Sequence, residues 1–398
     1  MLFLACAACD KHLNYDAKRC SACKVRYCSK ECQAAHWQNG HKKLCKKIKR
    51  HGGVEKYRAD VEGAKFMTAA VETCCGLDAP ADAVCAICEQ RGDEPILRAC
   101  ECSGDSGLAH LSCLVRRAQI ARQDISAEND TDEAYFAAVD LWSKCPTCEK
   151  SYHKAVRGAL GWACFKTYSS CAPTGDRFSG DRDFATRELA KSMEDAGFYQ
   201  LAKQINLERL CEAEHLFPHK ARTISVIWSD LAGVCMYSGE YELELFARRE
   251  AYTITLALNK DEYWDKEVVW SGSKLAISLL ADDQRTDALV REAHVLLRKI
   301  MPLSRRTFGP DHDTNLKVRR LYAMSLYLAD AASRDDVTKA TNILEDVART
   351  ARRRPSCEQG ARINRALDAA REKSASLETK RRRSTRTQAA LEAAVLAM

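Results

Sequence analysis

The sequence of 398 residues predicts a mostly α-helical protein in which two small cysteine-rich domains precede a long α-helical repeat. The first observation is the distribution of cysteine, because 16 of the 21 cysteines lie before residue 150, mostly in close pairs. The second lies beyond residue 180, where glycine and proline become sparse and apolar residues recur at helical spacing. The hydrophobic fraction of 46% is that of an ordinary globular protein, so disorder is not expected.

Clustered cysteines indicate either a disulfide framework in an oxidising compartment or thiolate ligands for a metal ion in a reducing one. The apolar start of the chain, Met1–Ala8, has no basic region and contains Cys6, so it is a poor secretory signal. No stretch approaches the roughly 18 uninterrupted apolar residues that a membrane span needs. We therefore expect an intracellular protein without a membrane span, cytoplasmic or nuclear, whose cysteines bind zinc.

The formal net charge of +7 counts every cysteine as a neutral thiol. Fourteen thiolate ligands and four zinc ions together lower this charge to about +1. The overall charge therefore gives no case for nucleic-acid binding, and nucleic acid is not an expected partner.

Eight candidate ligands in four pairs lie near the start of the chain, and eight ligands close two tetrahedral zinc sites. They are Cys6, Cys9, Cys20, Cys23, Cys28, Cys32, His41 and Cys45. His41 is favoured as the histidine ligand because its i, i+4 relation to Cys45 places both residues on one helical face. His36 is the nearest competitor, and His12 and His51 are weaker ones.

The segments Tyr27–Cys32 (YCSKEC) and His36–His41 (HWQNGH) resemble the MYND-type zinc finger, and the resemblance covers residues 6–45. It implies a cross-braced domain in which one ion is held by Cys6, Cys9, Cys28 and Cys32, and the other by Cys20, Cys23, His41 and Cys45. MYND modules typically bind proline-containing peptides, which implies a protein-binding surface with exposed apolar residues such as Trp37. The alternatives are a zinc-held scaffold without a partner, and packing of Trp37 against the second zinc knuckle. A SET-type lysine methyltransferase is disfavoured because no such signature follows downstream.

A second set of pairs, in a different order, lies within residues 85–148. The pairs are Cys85 and Cys88, Cys100 and Cys102, His110 and Cys113, and Cys145 and Cys148. A single residue separates the cysteines of the second pair, and histidine precedes cysteine in the third. This order resembles the RING-CH (RINGv) zinc finger, as do the flanking Gly104 and Leu114. The resemblance implies one ion held by Cys85, Cys88, His110 and Cys113, and a second held by Cys100, Cys102, Cys145 and Cys148. The two fingers together imply four zinc ions as cofactors.

RING-CH domains are mostly ubiquitin ligase modules, which bind a ubiquitin-charged E2 enzyme and supply no catalytic residue of their own. The resemblance implies an E2-binding groove made of Ile87, Leu114, Trp142 and Pro146. The alternative is that Ile87 and Trp142 pack the core between the two zinc sites. Membrane-bound RING-CH ligases follow this finger with transmembrane helices, and this chain does not.

Two departures from the family weaken the ligase interpretation. The 31 residues between Cys113 and Cys145 form a long segment for the family, with an acidic stretch at Glu128–Glu133. In addition, Glu149 follows the last ligand, at a position where many active RING ligases carry a basic residue that helps to hold ubiquitin. Lys150 comes one residue late.

Residues 46–84 are predicted to be a helical linker in which Val54–Ala70 presents an apolar face. The adjacent Cys74 and Cys75 are interpreted as plain thiols. Three further cysteines without a partner at ligand spacing are interpreted as reduced thiols, namely Cys211, Cys235 and Cys357.

A weak internal repeat follows over residues 181–373, where similar segments 42, 44 and 47 residues apart open at Leu189, Leu231, Leu275 and Tyr322. Gly197 and Gly239 fall where a turn between paired helices is expected. The connector Phe308–Thr314 (FGPDHDT) resembles that of kinesin-light-chain-like tetratricopeptide repeats. The resemblance implies a TPR-like solenoid with a concave peptide-binding groove. The alternatives are an unrelated helical bundle and a helical scaffold without a ligand.

The last segment, residues 374–398, contains a basic run at Lys380–Arg386 that suits a nuclear import signal, a nucleic-acid contact or a solvated surface. Taken together, the sequence favours a zinc-binding RING-CH-type E3 ubiquitin ligase, a ubiquitin-protein transferase. On this reading, the second finger recruits the E2, and the MYND finger and helical repeats select protein partners. The alternative is a non-catalytic zinc-dependent scaffold for protein-protein interaction, and nucleic-acid binding is the least favoured function.

Overall fold

The computed structural model describes residues 4–11, 13–74, 83–125, 131–169, 180–259, 262–281, 285–354 and 359–396. The predictions made for His12, Cys75 and Cys357, and for part of the acidic stretch at 128–133, lie outside the described residues. Among the described residues, no helix combines the length and the apolar character needed to cross a membrane.

The fold is mostly α-helical, with a cysteine-rich N-terminal part and a repeat-like series of helices, which confirms the predicted fold class. The helices are α1 Lys30–His36, α2 Lys42–Arg50, α3 Val54–Cys74, α4 Leu111–Gln123, α5 Asp132–Asp140, α6 Lys154–Tyr168, α7 Gly180–Asp195, α8 Tyr199–Leu216, α9 Ala221–Ser238, α10 Tyr241–Leu258, α11 Glu262–Leu279, α12 Asp287–Phe308, α13 Asp313–Tyr327, α14 Arg334–Arg352 and α15 Gly360–Leu396. A π-helical turn, Trp37–His41, joins α1 to α2. Strand β1, Ile96–Arg98, pairs antiparallel with β2, Leu108–His110, after a 3-10 turn at Gly104–Gly107.

Several helices begin at a side chain that caps their free N–H groups. Ser29 accepts a hydrogen bond from Cys32 N at the start of α1, and Thr131 accepts one from Ala134 N at the start of α5. Ser333 and Asp336 form a reciprocal capping box at the start of α14. These caps fix where the helices begin.

The chain divides into two compact units, residues 1–239 and 240–398. In the first unit, α6 lies at the centre and packs against α3 and α7. Gly158 and Gly161 allow this close packing, because a Cβ at either position would collide with Phe66 of α3 or Ser192 of α7. The core of the second finger continues into these helices, since buried Cys85, Leu97, Leu114, Leu160 and Ile205 belong to one apolar cluster.

The first finger is also tied to the helices of its unit. The backbone N–H of Leu4 donates a hydrogen bond of 3.1 Å to a carboxylate oxygen of Glu208 on α8. Arg182 of α7 forms ion pairs with Glu55 of α3 at 2.8 Å and with Glu212 of α8 at 3.1 Å. These contacts link the start of the first finger to α8, and α3 to α7 and α8, within the first unit.

In the second unit, each helix from α10 to α15 packs against the next one along the chain, and α13 also contacts α11 and α15. Buried residues from successive helices, including Val269, Leu297, Leu321, Leu344 and Ile363, form one continuous core. This is the arrangement of a helical repeat, in which alternate helices share one face.

The predicted turn glycines lie at helix ends. Gly197 follows α7 with a φ of 87°, and Gly239 ends α9 with a φ of 74°, a left-handed conformation that glycine adopts without strain. The division into units falls after Gly239, inside the predicted repeat region 181–373. The boundary predicted after residue 373 lies inside α15, and the basic run at Lys380–Arg386 lies in the second half of this long helix.

Candidate metal centres

The sixteen predicted ligands come together as four groups, and within each group the ligand atoms lie within 4.8 Å of one another. The first finger contains the groups Cys6, Cys9, Cys28, Cys32 and Cys20, Cys23, His41, Cys45. The second finger contains the groups Cys85, Cys88, His110, Cys113 and Cys100, Cys102, Cys145, Cys148. Each finger is cross-braced, because its two groups use alternating segments of the chain.

The distances between ligand atoms fit tetrahedral zinc. A Zn–S bond of about 2.3 Å and a Zn–N bond of about 2.0 Å place two sulfurs about 3.8 Å apart, and a sulfur and a nitrogen about 3.5 Å apart. The Sγ–Sγ distances are 3.6 Å for Cys9–Cys28, 3.8 Å for Cys20–Cys45 and 3.7 Å for Cys102–Cys145. The Sγ–N distances are 3.4 Å for Cys23–His41 and 3.5 Å for Cys88–His110. The thiolate and imidazole donors therefore suit four zinc ions.

The two histidine ligands use different ring nitrogens. His41 points Nε2 at Cys23, whereas His110 points Nδ1 at Cys88 and at Cys113, the latter at 3.7 Å. The other ring nitrogen of His110, Nε2, donates a hydrogen bond of 2.8 Å to the carbonyl oxygen of Arg91. That bond keeps the proton on Nε2 and leaves the lone pair of Nδ1 for the metal.

His36 and His51, the competing histidines that the structure describes, lie outside the four groups. The Nδ1 atom of His36 is 3.0 Å from the hydroxyl of Tyr27, and Nδ1 of His51 is 2.8 Å from the carbonyl oxygen of Lys47. The assignment of the ligand role to His41 therefore agrees with the geometry.

Each Cys-x2-Cys pair forms a tight turn together with the two residues after it, which we call a zinc knuckle. The residue that follows the second cysteine has a left-handed backbone in all four knuckles: Asp10, Lys24, Glu89 and Glu149 have φ values of 57°, 65°, 58° and 57°. These four are the only non-glycine residues with positive φ in the described part of the chain. Each donates its N–H to the carbonyl oxygen of the first cysteine at 2.8 to 2.9 Å. Sequence reasoning missed this feature, although its position after each pair is a usable signal.

The knuckles also favour the thiolate form of their first cysteine. Burial alone raises the pKa of the Cys6 thiol. Hydrogen bonds from backbone N–H groups, including those of Ala8 and Cys9 in its own knuckle, outweigh burial and bring the pKa down to about 6. The same balance of burial and N–H groups lowers the pKa of Cys145 to about 6 and that of Cys85 to about 7. The pKa of Cys20 is lowered for the same reason. One sulfur in each group is thus prepared as a metal ligand.

The four residues expected to face an E2 enzyme have different environments. Trp142 is completely buried, with its ring 6.1 Å from that of Tyr168 on α6, and Leu114 is buried in the core of the unit. Ile87 is half-buried in the first knuckle of its finger, and Pro146 is exposed in the last knuckle. Trp142 packs with Ala118 of α4, Cys164 and Tyr168 of α6 and Ala185 of α7, a cluster that differs from both the expected groove and the core between the two zinc sites.

The described part of the long segment before Cys145 contains helix α5. Helix α5 packs against α4, and the guanidinium of Arg122 lies 5.1 Å from the ring centre of Tyr135. Arg122 also pairs with Asp181 of α7 at 2.8 Å. The segment from residue 131 onward therefore connects the second finger to the helices.

The first finger exposes an apolar side chain beside a metal ligand. Trp37 is 44% exposed, and its ring lies edge-on to His41 with centroids 6.0 Å apart. Trp37 therefore packs on the second metal site and also presents a surface to solvent.

Comparison with known proteins agrees with these assignments. Residues 6–45 match the MYND finger, and residues 85–128 match the RING-variant domain. The chain carries both zinc fingers. The RING-variant match ends before Cys145 and Cys148, which the structure nevertheless brings to Cys100 and Cys102.

One curated relative is ubiquitin carboxyl-terminal hydrolase 17 of Arabidopsis thaliana, which is 52% identical over 42 residues, or 10% of this chain and 5% of that protein. Two solved structures of Podosopora anserina proteins with nearly identical TPR-like repeats of the kinesin light chain type are also similar. They cover 62% and 61% of this chain and 99% and 95% of their own, at 17% identity and TM-scores of 0.39 and 0.38. The helical repeat described above is established by the contacts between successive helices rather than by this likeness.

Proposed function

We propose that this protein is an E3 ubiquitin ligase of the RING-CH type. In this proposal the second finger recruits a ubiquitin-charged E2 enzyme, and the MYND finger and helical repeats select the protein to be modified. The finger supplies no nucleophile, so its contribution is to hold the E2 thioester in a reactive arrangement. The match of residues 85–128 to the RING-variant domain and the two complete zinc sites support this function.

The observation that carries the proposal is the placement of Ile87 and Pro146. Each lies inside a zinc knuckle, one in each of the two metal sites of the same finger, and neither is fully buried. Metal ligation holds both knuckles rigidly, so an apolar pair on them forms a preorganised contact for another protein. Because Leu114 and Trp142 are buried, we propose that they support this surface from beneath.

A non-catalytic zinc-dependent scaffold is the second candidate, and specific observations favour it. The burial of Leu114 and Trp142 leaves a smaller apolar surface than the family pattern implies. Glu149 is exposed, and it is acidic where many active RING ligases are basic. In this alternative the fingers and repeats bind proteins without transferring ubiquitin.

A reconstituted ubiquitination assay with E1, a panel of E2 enzymes and ubiquitin tests the proposal. We expect chain formation by the zinc-loaded protein, and its loss in Ile87→Ala and Pro146→Ala. Ile120→Ala is the matched control, because Ile120 lies in the same finger on α4, is 40% exposed and is in neither knuckle. Zinc content is measured for each variant. Absence of chains with every E2 tested would establish the scaffold function instead.

The MYND finger is proposed to contribute a separate partner surface that includes Trp37 and Leu44, both of which reach solvent. A Trp37→Ala variant that keeps its zinc should bind a proline-containing peptide more weakly. Unchanged binding would assign peptide selection to the helical repeats alone.

A further inference from the structure

Solvent exposure separates one of the four metal groups from the other three. Among the sixteen ligands, Cys9 and Cys28 are exposed, and every other ligand is buried or half-buried. Both exposed ligands belong to the first group of the MYND finger, together with buried Cys6 and half-buried Cys32. Because the reaction of a thiolate with an oxidant requires access to the sulfur, this group is the most open to chemical modification.

The other three groups are shielded by protein. In the second group of the MYND finger all four ligands are buried, and its three sulfurs lie in one apolar cluster with Tyr27 and Ile48. The most accessible ligands of the RING-variant finger are half-buried Cys88, Cys113 and Cys148, which pack against the apolar core of the first unit. An oxidant therefore reaches the sulfurs of these groups less readily.

Each exposed sulfur has neighbours that can complete a disulfide. The Sγ atom of Cys28 lies 3.6 Å from that of Cys9 and 3.3 Å from that of Cys32. The Sγ atoms of Cys9 and Cys32 are 3.8 Å apart. At this spacing a small movement brings two sulfurs to bonding distance. An accessible thiolate beside a second cysteine is the arrangement found in redox-sensitive sites.

We propose that the group of Cys6, Cys9, Cys28 and Cys32 is a site of reversible oxidation by hydrogen peroxide, entered at Cys9 or Cys28. The exposed sulfur attacks a peroxide oxygen, so that an S–O bond forms, the O–O bond breaks and hydroxide leaves. A second sulfur of the group then attacks the oxidised sulfur, so that an S–S bond forms, the S–O bond breaks and a second hydroxide leaves. The two thiolates lose two electrons, which the peroxide accepts. Since two of its four ligands are consumed, the group releases its zinc ion.

The change should stay local, because the two groups of this finger hold different segments of the chain. The first knuckle lies beside Leu4, whose N–H donates to Glu208 of α8, whereas Cys32 lies in the first turn of α1. Oxidation of the first group loosens the connection between these two segments. Trp37 packs on the second group, whose buried ligands keep their ion. The oxidised protein should therefore retain three of its four zinc ions.

Titration of the full-length, zinc-loaded protein with hydrogen peroxide tests this site. A zinc-sensitive dye measures the released metal, and alkylation followed by mass spectrometry maps oxidation at each cysteine separately. At the lowest dose that oxidises any ligand, we expect release of one zinc ion per chain and a disulfide that contains Cys9 or Cys28. A thiol reductant followed by added zinc should restore the fourth ion.

A variant that carries both Cys9→His and Cys28→His removes the exposed sulfurs but keeps four ligands, since imidazole also binds zinc. It should hold all four ions at the dose that removes one from the wild type. Cys88→His, at a half-buried ligand of the second finger, is the matched control and should still lose the ion of the first group.

Three results would overturn the proposal: oxidation that appears first in any of the other three groups, equal zinc release by the double variant, or oxidation that a reductant does not reverse. Peptide mapping of the wild type decides the first and the third even if the double variant does not load its metal. The assay contains no E1 or E2, so its outcome is independent of the proposed ligase function.

Discussion

The ring of His36 stacks on the ring of His41 with centroids 4.5 Å apart, yet only His41 reaches the sulfur of a cysteine ligand. The two residues lie on either side of the π-helical turn, in which Gly40 has a φ of 103°. This turn aims His41 into the metal site and leaves His36 against the hydroxyl of Tyr27. Two neighbouring histidines therefore have different roles that depend on local backbone geometry.

We expect His41→Ala to lower the zinc content by about one to two ions per chain, because loss of one ligand opens a site and the finger folds only with its metal. His36→Ala is the matched control and should keep all four ions. Metal analysis of gently purified protein measures both. Equal zinc loss in the two variants would contradict the assignment of His41.

The metal ligands could be predicted from the sequence because each pair is a local feature, and Cys6 and Cys9, for example, grip one ion from a single turn. Their distribution between two ions came from family resemblance, since spacing alone does not show which distant pairs meet. The helical repeat followed from periodicity and from turn residues such as Gly197 and Gly239.

Burial between distant segments could not be predicted in the same way. The resemblance to the RING-CH finger implied that Trp142 lines an E2-binding groove, but the structure places this side chain against Tyr168. Such properties arise from tertiary packing, which leaves no periodic mark in the sequence.

The burial of Trp142 makes the second finger depend on the helices. We expect Trp142→Ala to lower the free energy of unfolding by about 3–5 kcal/mol, because it leaves a large cavity beside α6. The variant should also release zinc to a chelator sooner than the wild type. Trp37→Ala, at an exposed site, should change stability by only about 0.5 kcal/mol. Thermal unfolding measures the stability of each variant, and a separate titration with a chelator measures how readily each releases zinc. Equal stability of the two variants would show that the cavity is absent.

Glu149 allows a direct test of ligase chemistry. If the second finger is a ligase, Glu149→Arg should increase ubiquitin transfer about twofold to fivefold, since a surface charge contact is weak. Glu89→Arg is a closely matched control, because Glu89 has the same left-handed conformation in the other knuckle of this finger. Transfer from a charged E2 measures the rate. If the transfer rate rises in both variants, or in neither, then the residue at position 149 does not contribute specifically to holding ubiquitin.

The ion pairs of Asp230 give a pH-dependent contribution to stability. Burial raises the pKa of Asp230, but Arg187 and Arg209 outweigh that effect and hold the pKa below its ordinary value of 3.8. A carboxylate with a depressed pKa in the folded state stabilises the protein above its unfolded-state pKa, and the contribution is lost as the pH falls through the folded-state pKa. The stabilisation should therefore be complete near neutral pH, begin to fall as the pH drops below the pKa of the free carboxyl, and disappear below the lower pKa of the folded state.

Asp230→Asn should accordingly lower the free energy of unfolding by about 2 kcal/mol at neutral pH, less than for a fully buried pair because the Asp230 side chain is 28% exposed. The difference from the wild type should shrink as the pH falls below about 4. Asp368→Asn, an exposed change on α15, is the control and should show little effect at either pH. Melting temperatures measured across this pH range test the prediction, and a difference that does not change with pH would mean that Asp230 contributes by packing rather than by its charge.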